Sequence, residues 1–506
     1  MFDFHSIVAE IIRAESRIYD LVSETPLNHA PLISKKINNN VYLKREDLQP
    51  IFSFKLRGAY NKLIQLHQDE KGKNVVAASA GNHAQGVAMA ARKLGFLATI
   101  IMPVTTPEIK SEAVKNLGAS VLLKGNNYDE SAQYAKQYAE KNQCSYVPPF
   151  DDKMVIAGQG TVAAECLRQL CNIDYIFVPV GGGGLLAGIT AYVHFINPKI
   201  KLISVEFEKS ASLKYALEEG LPKSLEHVGV FADGIAVKKV GELPFDILRD
   251  SIHDAITVSA DEICAATKDI FTDCRSVPEP SGAVALAGLK QYVSKHGLFD
   301  QNCIAIVSGA NVSFEMLRSI SDRAEIGESK EALFVCDIPE KQGSFIKFIK
   351  HFYERKITEF NYRWGDEQRA RVIIGFHKIN NESNDLFCQV LNAEGYTTHD
   401  VSGDNLVGFH IRHMVGGRVE KTINERIFRF EFPEKSGSLK QFLELTDGMN
   451  ITLFHYRNQG MDTAQVLVGF ENLRESLEEF RHRFIHFPCF LCEETNNITY
   501  LKMLRK

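Results

Sequence analysis

Four consecutive glycines, Gly181 to Gly184, constrain this chain more than any other feature. An apolar segment ending Tyr175-Ile176-Phe177-Val178-Pro179-Val180 precedes them, and Leu185-Leu186-Ala187-Gly188-Ile189 follows as the first turn of an apolar helix. Residues without Cβ let the main chain approach an anion closely, and the free N–H groups of a helix start point at it. Strand, glycine run and helix in that order make a backbone cradle for a phosphate, with neither a P-loop lysine nor GxGxxG spacing. A flexible strand–helix connection would look the same, so other segments must decide.

The surroundings repeat the strand–helix rhythm. Asn74–Ala78, Ala98–Met102, Ala119–Leu123, Lys201–Val205 and Cys303–Val307 read as short apolar strands separated by helical patterns. Such alternation predicts an α/β fold with parallel sheets covered on both faces and ligands at the carboxyl ends of the strands. It spans residues 1–320, with a smaller α/β subdomain inserted at roughly 50–150. A polar stretch over 321–330 reads as a linker. At 506 residues, about two to four domains are expected.

Beyond the linker the sequence repeats itself. Ile338-Pro339-Glu340-Lys341-Gln342-Gly343-Ser344 returns as Phe432-Pro433-Glu434-Lys435-Ser436-Gly437-Ser438. Ile357–Arg363 returns at Ile451–Arg457 and Ala370–Phe376 at Ala464–Phe470, always 94 residues on. Each copy, 331–404 and 425–497, reads strand, turn, helix and two alternating strands, with Ser344 and Ser438 as helix N-caps. That start suits an α+β module of the ferredoxin-like type, whose strand–glycine–helix turn is a small-ligand site or, failing a ligand, a structural pairing surface.

Charge and cysteines exclude several classes. Lys and Arg total 58 against 63 Asp and Glu, a net charge of −5, which gives no reason to expect nucleic acid. No apolar run reaches membrane-spanning length, and Met1-Phe2-Asp3-Phe4-His5 lacks a basic signal-peptide start, so a cytoplasmic protein is expected. The 10 cysteines lie mostly among apolar residues, as reduced thiols do. Cys489 and Cys492 form a lone CxxC without a second pair, so no metal is expected.

Two further segments carry chemistry. In Ser53-Phe54-Lys55-Leu56-Arg57-Gly58-Ala59-Tyr60 a lysine stands on apolar ground beside a helix expected over Ala59–Leu66. Both features disfavour its ammonium form, and a neutral amine is what Schiff-base chemistry requires. In Ser79-Ala80-Gly81-Asn82-His83-Ala84-Gln85-Gly86 a strand ends and a helix opens, and the Ser79 hydroxyl with nearby N–H groups makes a second anion site, sized for a carboxylate. Asn82 adds an amide able to hold a phenolic oxygen. His83 is read as a core or capping histidine. A phosphate cradle, an aldehyde-binding amine and a carboxylate cradle together describe pyridoxal phosphate and an amino acid.

These motifs resemble those of the fold-type II pyridoxal phosphate enzymes of the serine/threonine dehydratase family, and the doubled C-terminal module resembles the regulatory (ACT-like) part of its threonine-deaminating members. The likeness runs from about residue 5 to 500. It implies that Lys55 carries the cofactor and shuttles the α-proton, and that Phe54 packs beside it. Asn82 would bond the 3-oxygen, the N–H groups of Gly181 through Leu185 the phosphate, and Ser308 would face the pyridine nitrogen. Ser79, Ala80, Gly81 and Asn82 would receive the substrate carboxylate. A hydroxyl rather than a carboxylate at the ring nitrogen favours elimination over transamination or racemisation. Related racemases place a hydroxyl where Ala80 stands, and a methyl group donates no proton. Glu279 matches an acidic family position, and Glu206 is a candidate ligand for a monovalent cation.

The implied activity is β-elimination and deamination of L-threonine to 2-oxobutanoate and ammonia, the entry to isoleucine synthesis, with L-serine secondary. The modules imply isoleucine and valine as effectors and a homotetramer. Gly343, Gly437, Tyr362 and Tyr456 are the places to seek the effector. Other fold-type II activities, serine dehydration or β-replacement, and a catalytically inactive amino-acid sensor are the competing readings.

Overall fold

A computed structural model describes residues 4–69, 73–327, 331–339, 341, 343–363, 369–379, 382–402, 424–433, 438–457, 463–487 and 489–497. The chain divides into two compact units, Met1–Gly327 and Glu328–Lys506.

The first unit holds two sheets. The larger runs in the order Leu27–His29, Asn40–Arg45, Asn302–Val307, Tyr175–Pro179, Lys201–Phe207, Asp254–Val258. All its neighbours pair in parallel except the first strand, which is antiparallel at the edge. The smaller sheet is wholly parallel, in the order Ser120–Leu123, Leu97–Met102, Asn74–Ala78, Ser145–Tyr146, and is inserted between two strands of the larger. Tyr175–Pro179 is buried at every residue, as a central parallel strand should be. The carboxyl ends of Asn74–Ala78, Tyr175–Pro179 and Asn302–Val307 lead directly into the Ser79, Gly181 and Ser308 segments.

Two boundaries differ from expectation. The helix expected over Ala59–Leu66 runs Lys55–Gln68, so the lysine is its first residue. Arg57, in the first turn of that helix, buries its side chain against Glu46 and Glu165 on neighbouring elements. Residues 321–327, read above as linker, finish the helix Phe314–Gly327. Ile320 and Ala324, four apart, bury against Cys264, and the polar letters of that stretch belong to an amphipathic helix.

The second unit is one eight-stranded antiparallel sheet made by two copies of a βαββαβ module. Its order is Thr397–Asp400, Glu331–Pro339, Arg369–His377, Ile357–Arg363, Ile451–Arg457, Thr463–Glu471, Glu425–Pro433, Phe490–Glu493. The copies join through Ile357–Arg363 and Ile451–Arg457, with Asn361 opposite His455. A β-bulge falls between Ile357 and Glu359 in one copy and between Ile451 and Leu453 in the other, again 94 residues apart. Helix Ser344–Ile349 is capped by Gly343 at φ +80° rather than by Ser344, since a left-handed residue ends the turn and glycine adopts it without strain. The interior is dominated by phenylalanine rings, among them Phe334, Phe348, Phe360, Phe428 and Phe454.

Candidate functional site

A cavity of about 610 Å³ in the first unit is lined by Phe54, Lys55, Ser79, Ala80, Gly81, Asn82, Gly181 to Gly184, Leu185 and Ser308. The structure thus brings the expected cofactor- and substrate-binding residues of this unit into one space.

Lys55 opens its helix with no carboxylate in hydrogen-bond contact. Its Nζ donates to the Pro149 carbonyl at 3.2 Å and lies 5.3 Å from the centre of the Phe54 ring. Burial pulls its pKa down to about 8, against a weaker upward pull from Glu279. A substantial share of the amine is therefore neutral near pH 7 to 8. The lysine loop is tied to the last strand of the larger sheet. The Phe54 N–H donates to the Ser308 carbonyl at 3.2 Å, and the Ala310 N–H donates to the Phe52 carbonyl at 2.9 Å. Phe52 itself sits at φ +56°, a left-handed conformation that costs a non-glycine residue on the order of 1 kcal/mol or more and needs such ties to persist.

The tetraglycine is packed closely by other segments. A Cβ at Gly182 would meet the Phe150 ring at 2.2 Å, and one at Gly181 would meet Ile235 Cα at 2.8 Å. Gly183, at φ +89°, caps the helix Gly184–Ile196. Only main chain fits here, and what it presents to the cavity is N–H groups at a helix start, a cradle for a phosphate. Beside the cradle and the lysine, the buried Ser281 hydroxyl has no protein partner. These residues fit pyridoxal phosphate: an amine near neutrality, a side-chain-free anion nest and unsatisfied polar atoms share one wall.

Asn82 is oriented by two neighbours that sequence reasoning gave no part in holding it. Its Oδ1 accepts from Asn311 at 2.7 Å, and its Nδ2 donates to Glu279 Oε1 at 2.7 Å. That fixes the amide's orientation and leaves one N–H of Nδ2 for an acceptor in the cavity. Glu279 is 4% exposed, and burial, reinforced by Asp233, raises its pKa to about 7. Asn311 could have been flagged by its position just past the last strand; Phe150 and Pro149 left no signal in the sequence. The Ser308 hydroxyl donates to the Ser281 carbonyl at 3.2 Å. The Ser79 hydroxyl accepts from the Gly81 N–H at 3.1 Å and braces the second nest.

His83 lines the cavity but is held by the core, and Glu206 lies outside the cavity's lining. His83 Nε2 lies 2.9 Å from the Val147 carbonyl, and burial lowers its pKa to about 3, so it stays neutral. Glu206, a candidate cation ligand, instead accepts the N–H groups of Leu213 and Lys214, both at 2.8 Å, at the start of helix Ser212–Glu219.

In the second unit, Gly343 and Tyr362 line a separate cavity of about 270 Å³, together with Lys341, Asp447 and Ile451. Tyr456 is not among its lining residues and is 2% exposed in the aromatic core. Gly437 lies outside the described residues.

Comparison with known proteins agrees with this geometry. Residues 18–309 match the family of pyridoxal-phosphate dependent enzymes. Residues 322–411 and 416–504 each match the C-terminal regulatory domain of threonine dehydratase. The chain is 44% identical to the biosynthetic L-threonine dehydratase of Haemophilus influenzae over 98% of this chain and 96% of that one. It is 45% identical to the Escherichia coli protein of the same description, over 97% and 96%. Among solved structures, the processed form of threonine deaminase isoform 2 from Solanum lycopersicum aligns at TM-score 0.62 and 44% identity, covering 63% of this chain and 93% of that one. Serine racemase from Dictyostelium discoideum aligns at 0.56 and 32%, covering 61% and 99%.

Proposed function

The chain belongs to the pyridoxal-phosphate dependent enzymes and, within them, to the biosynthetic threonine dehydratases, and on that premise we propose that it converts L-threonine to 2-oxobutanoate and ammonia at the entry to isoleucine synthesis. L-Serine is a secondary substrate. One observation carries the reading: a near-neutral lysine amine and a side-chain-free anion cradle open into the same cavity.

Pyridoxal phosphate supplies the electron sink that makes an amino acid's Cα–H acidic. The protein does the rest. The N–H groups from Gly181 to Leu185 hold the phosphate. The spare Nδ2 hydrogen of Asn82, aimed by Asn311 and Glu279, serves the 3-oxygen. Ser308 would offer the ring nitrogen a hydroxyl rather than a carboxylate, once that hydroxyl turns from the Ser281 carbonyl, and would leave the ring weakly basic. The nest from Ser79 to Asn82 binds the substrate carboxylate and turns Cα toward Lys55. Neutral Lys55 Nζ takes the Cα proton. With the cofactor bound, the Cα proton and the β-hydroxyl would leave as water, and water would return in hydrolysing the released enamine to the keto acid and ammonia. Ala80 offers no proton on the opposite face, so elimination outruns inversion.

The paired modules respond to small molecules. We assign isoleucine as inhibitor and valine as activator, with the Gly343–Tyr362 cavity as one place of binding. The assembly is a homotetramer in the cytoplasm. Among the described residues no helix is long and apolar enough to cross a membrane. Steady-state ammonia release from L-threonine, with and without isoleucine, tests the whole reading. No release from threonine, or faster β-replacement on serine with sulfide, would overturn the activity. Release that isoleucine leaves untouched would overturn the regulation.

A further inference from the structure

Two helices begin at the active site: Lys55–Gln68 opens with the lysine, and Gly184–Ile196 opens at the cradle. A third, Lys153–Gln169, packs against both. At each contact main chain meets main chain. A Cβ on Gly158 would stand 2.5 Å from the Arg57 carbonyl oxygen and 2.7 Å from Gly58 Cα. A Cβ on Gly188 would stand 2.5 Å from the Ile156 carbonyl oxygen and 2.6 Å from the Gly160 nitrogen. None of these neighbours is a side chain able to rotate away.

The lysine helix is also prevented from sliding. Arg57, two residues after the lysine and wholly buried, donates to Glu165 at 2.6 Å, and Glu165 lies on the third helix. Between the two glycine contacts stands Gln159, 1% exposed, lining the active-site cavity with an Oε1 that has no protein partner. The third helix thus reaches the wall of the cavity that the amine and the cradle share.

We propose that helix Lys153–Gln169 is the spacer that fixes how far Lys55 stands from the Gly181–Gly184 cradle, with Gly158 positioning the amine and Gly188 positioning the cradle. This rests on the reading of the site as one for pyridoxal phosphate. A ligand held covalently at one end and by its phosphate at the other has a fixed length. A misplacement of about 1 Å at either grip costs on the order of a hundredfold in a reaction that depends on alignment.

The test separates the two grips in the full-length protein stripped of cofactor. Pyridoxal carries the aldehyde without the phosphate; pyridoxamine phosphate carries the phosphate without the aldehyde. Gly188→Ala is expected to raise the Kd for pyridoxamine phosphate about tenfold or more and leave that for pyridoxal near wild type. Gly158→Ala is expected to do the reverse and to lower the fraction of pyridoxal phosphate that borohydride fixes to Lys55. Ile33→Ala, a core truncation away from these contacts, should lower Tm and alter neither ratio. Parallel losses of both ligands in both variants, or the same pattern in Ile33→Ala, would overturn the spacer. If a variant fails to fold, Gly160→Ala serves in its place. Its Cβ would press chiefly on the movable Ile11 side chain and lie 3.0 Å from the Gly188 carbonyl oxygen. A smaller rise in the Kd for pyridoxamine phosphate alone is then expected, and no change would overturn the proposal. A wild-type protein that binds no pyridoxal phosphate would instead refute the functional reading.

Discussion

The two units bury polar groups for opposite purposes. The first hides a set of two cations and two anions, Lys44, Arg57, Glu46 and Glu165, all with side chains at 0% exposure, and leaves Ser281 and Gln159 with polar atoms unpaired beside a cavity. The second packs rings against rings. Of its buried carboxylates among the described residues, Glu331, Glu359 and Glu425, the first and last each accept from a threonine beside the strand irregularity, Thr358 and Thr452, and each trio is completed by a glycine, Gly375 or Gly469. Interior charge in the first unit is spent on holding reacting groups in place, where rigid geometry is worth more than a cheaper apolar core. The second unit fits two copies of one module together around an interior of aromatic rings.

The sharpest break in that contrast is at Lys55. Lys55→Ala should lower kcat by about ten-thousandfold or more without lowering Tm, because a group that acts in the reaction is removed and a cavity-lining amine is not part of the core. A variant retaining a hundredth of the rate would show that another group carries the chemistry. Arg57→Met should cost about 3 to 5 kcal/mol of stability, since it strands Glu46 and Glu165 without their shared cation. Thermal unfolding reads this, and a loss below about 1 kcal/mol would mean the cluster is better solvated than its burial indicates. Removing residues 331–506 should leave threonine turnover within a few-fold and abolish the isoleucine response, as the division into two units allows. An equally inhibitable truncation would place the effector in the first unit.

Thr452→Val should cost about 1 to 3 kcal/mol by removing the hydroxyl that donates to buried Glu425. Thr358→Val should match it within about 0.5 kcal/mol if the repeats are energetic as well as geometric copies. A further contrast lies in the pH dependence of stability. Lys55 titrates at about 8 in the folded protein against 10.5 when exposed, so the unfolded chain binds more protons between those values. Stability of the cofactor-free protein therefore rises with pH across that window, and Lys55→Met should remove the rise. Glu279 runs the other way. Its folded pKa of about 7 exceeds 4.5, so stability falls as pH climbs through that range, and Glu279→Gln should flatten the fall.

Local features of this protein were legible in its letters. The glycine run, the strands feeding it and the 94-residue repeat depend on neighbours in sequence, and each strand read there falls within a residue or two of the observed one. What escaped depends on partners far along the chain. Nothing beside Arg57 announces Glu165, 108 positions away, with which it pairs in the first turn of a helix that starts four residues early. Asn311 and Glu279 aim Asn82 across 229 and 197 positions. The end of helix Phe314–Gly327 was hidden because a helix that buries only one side looks polar when read letter by letter.

The eight-stranded sheet ends on two four-residue strands, Thr397–Asp400 and Phe490–Glu493, each bearing an acidic residue. Long flat margins recruit further chains into fibrils, whereas brief charged ones offer too few rungs to template growth. A duplication that doubled the sheet's width could thus have been tolerated at once, because both copies carried the same blunt margin to the outside and spent their longer strands on each other.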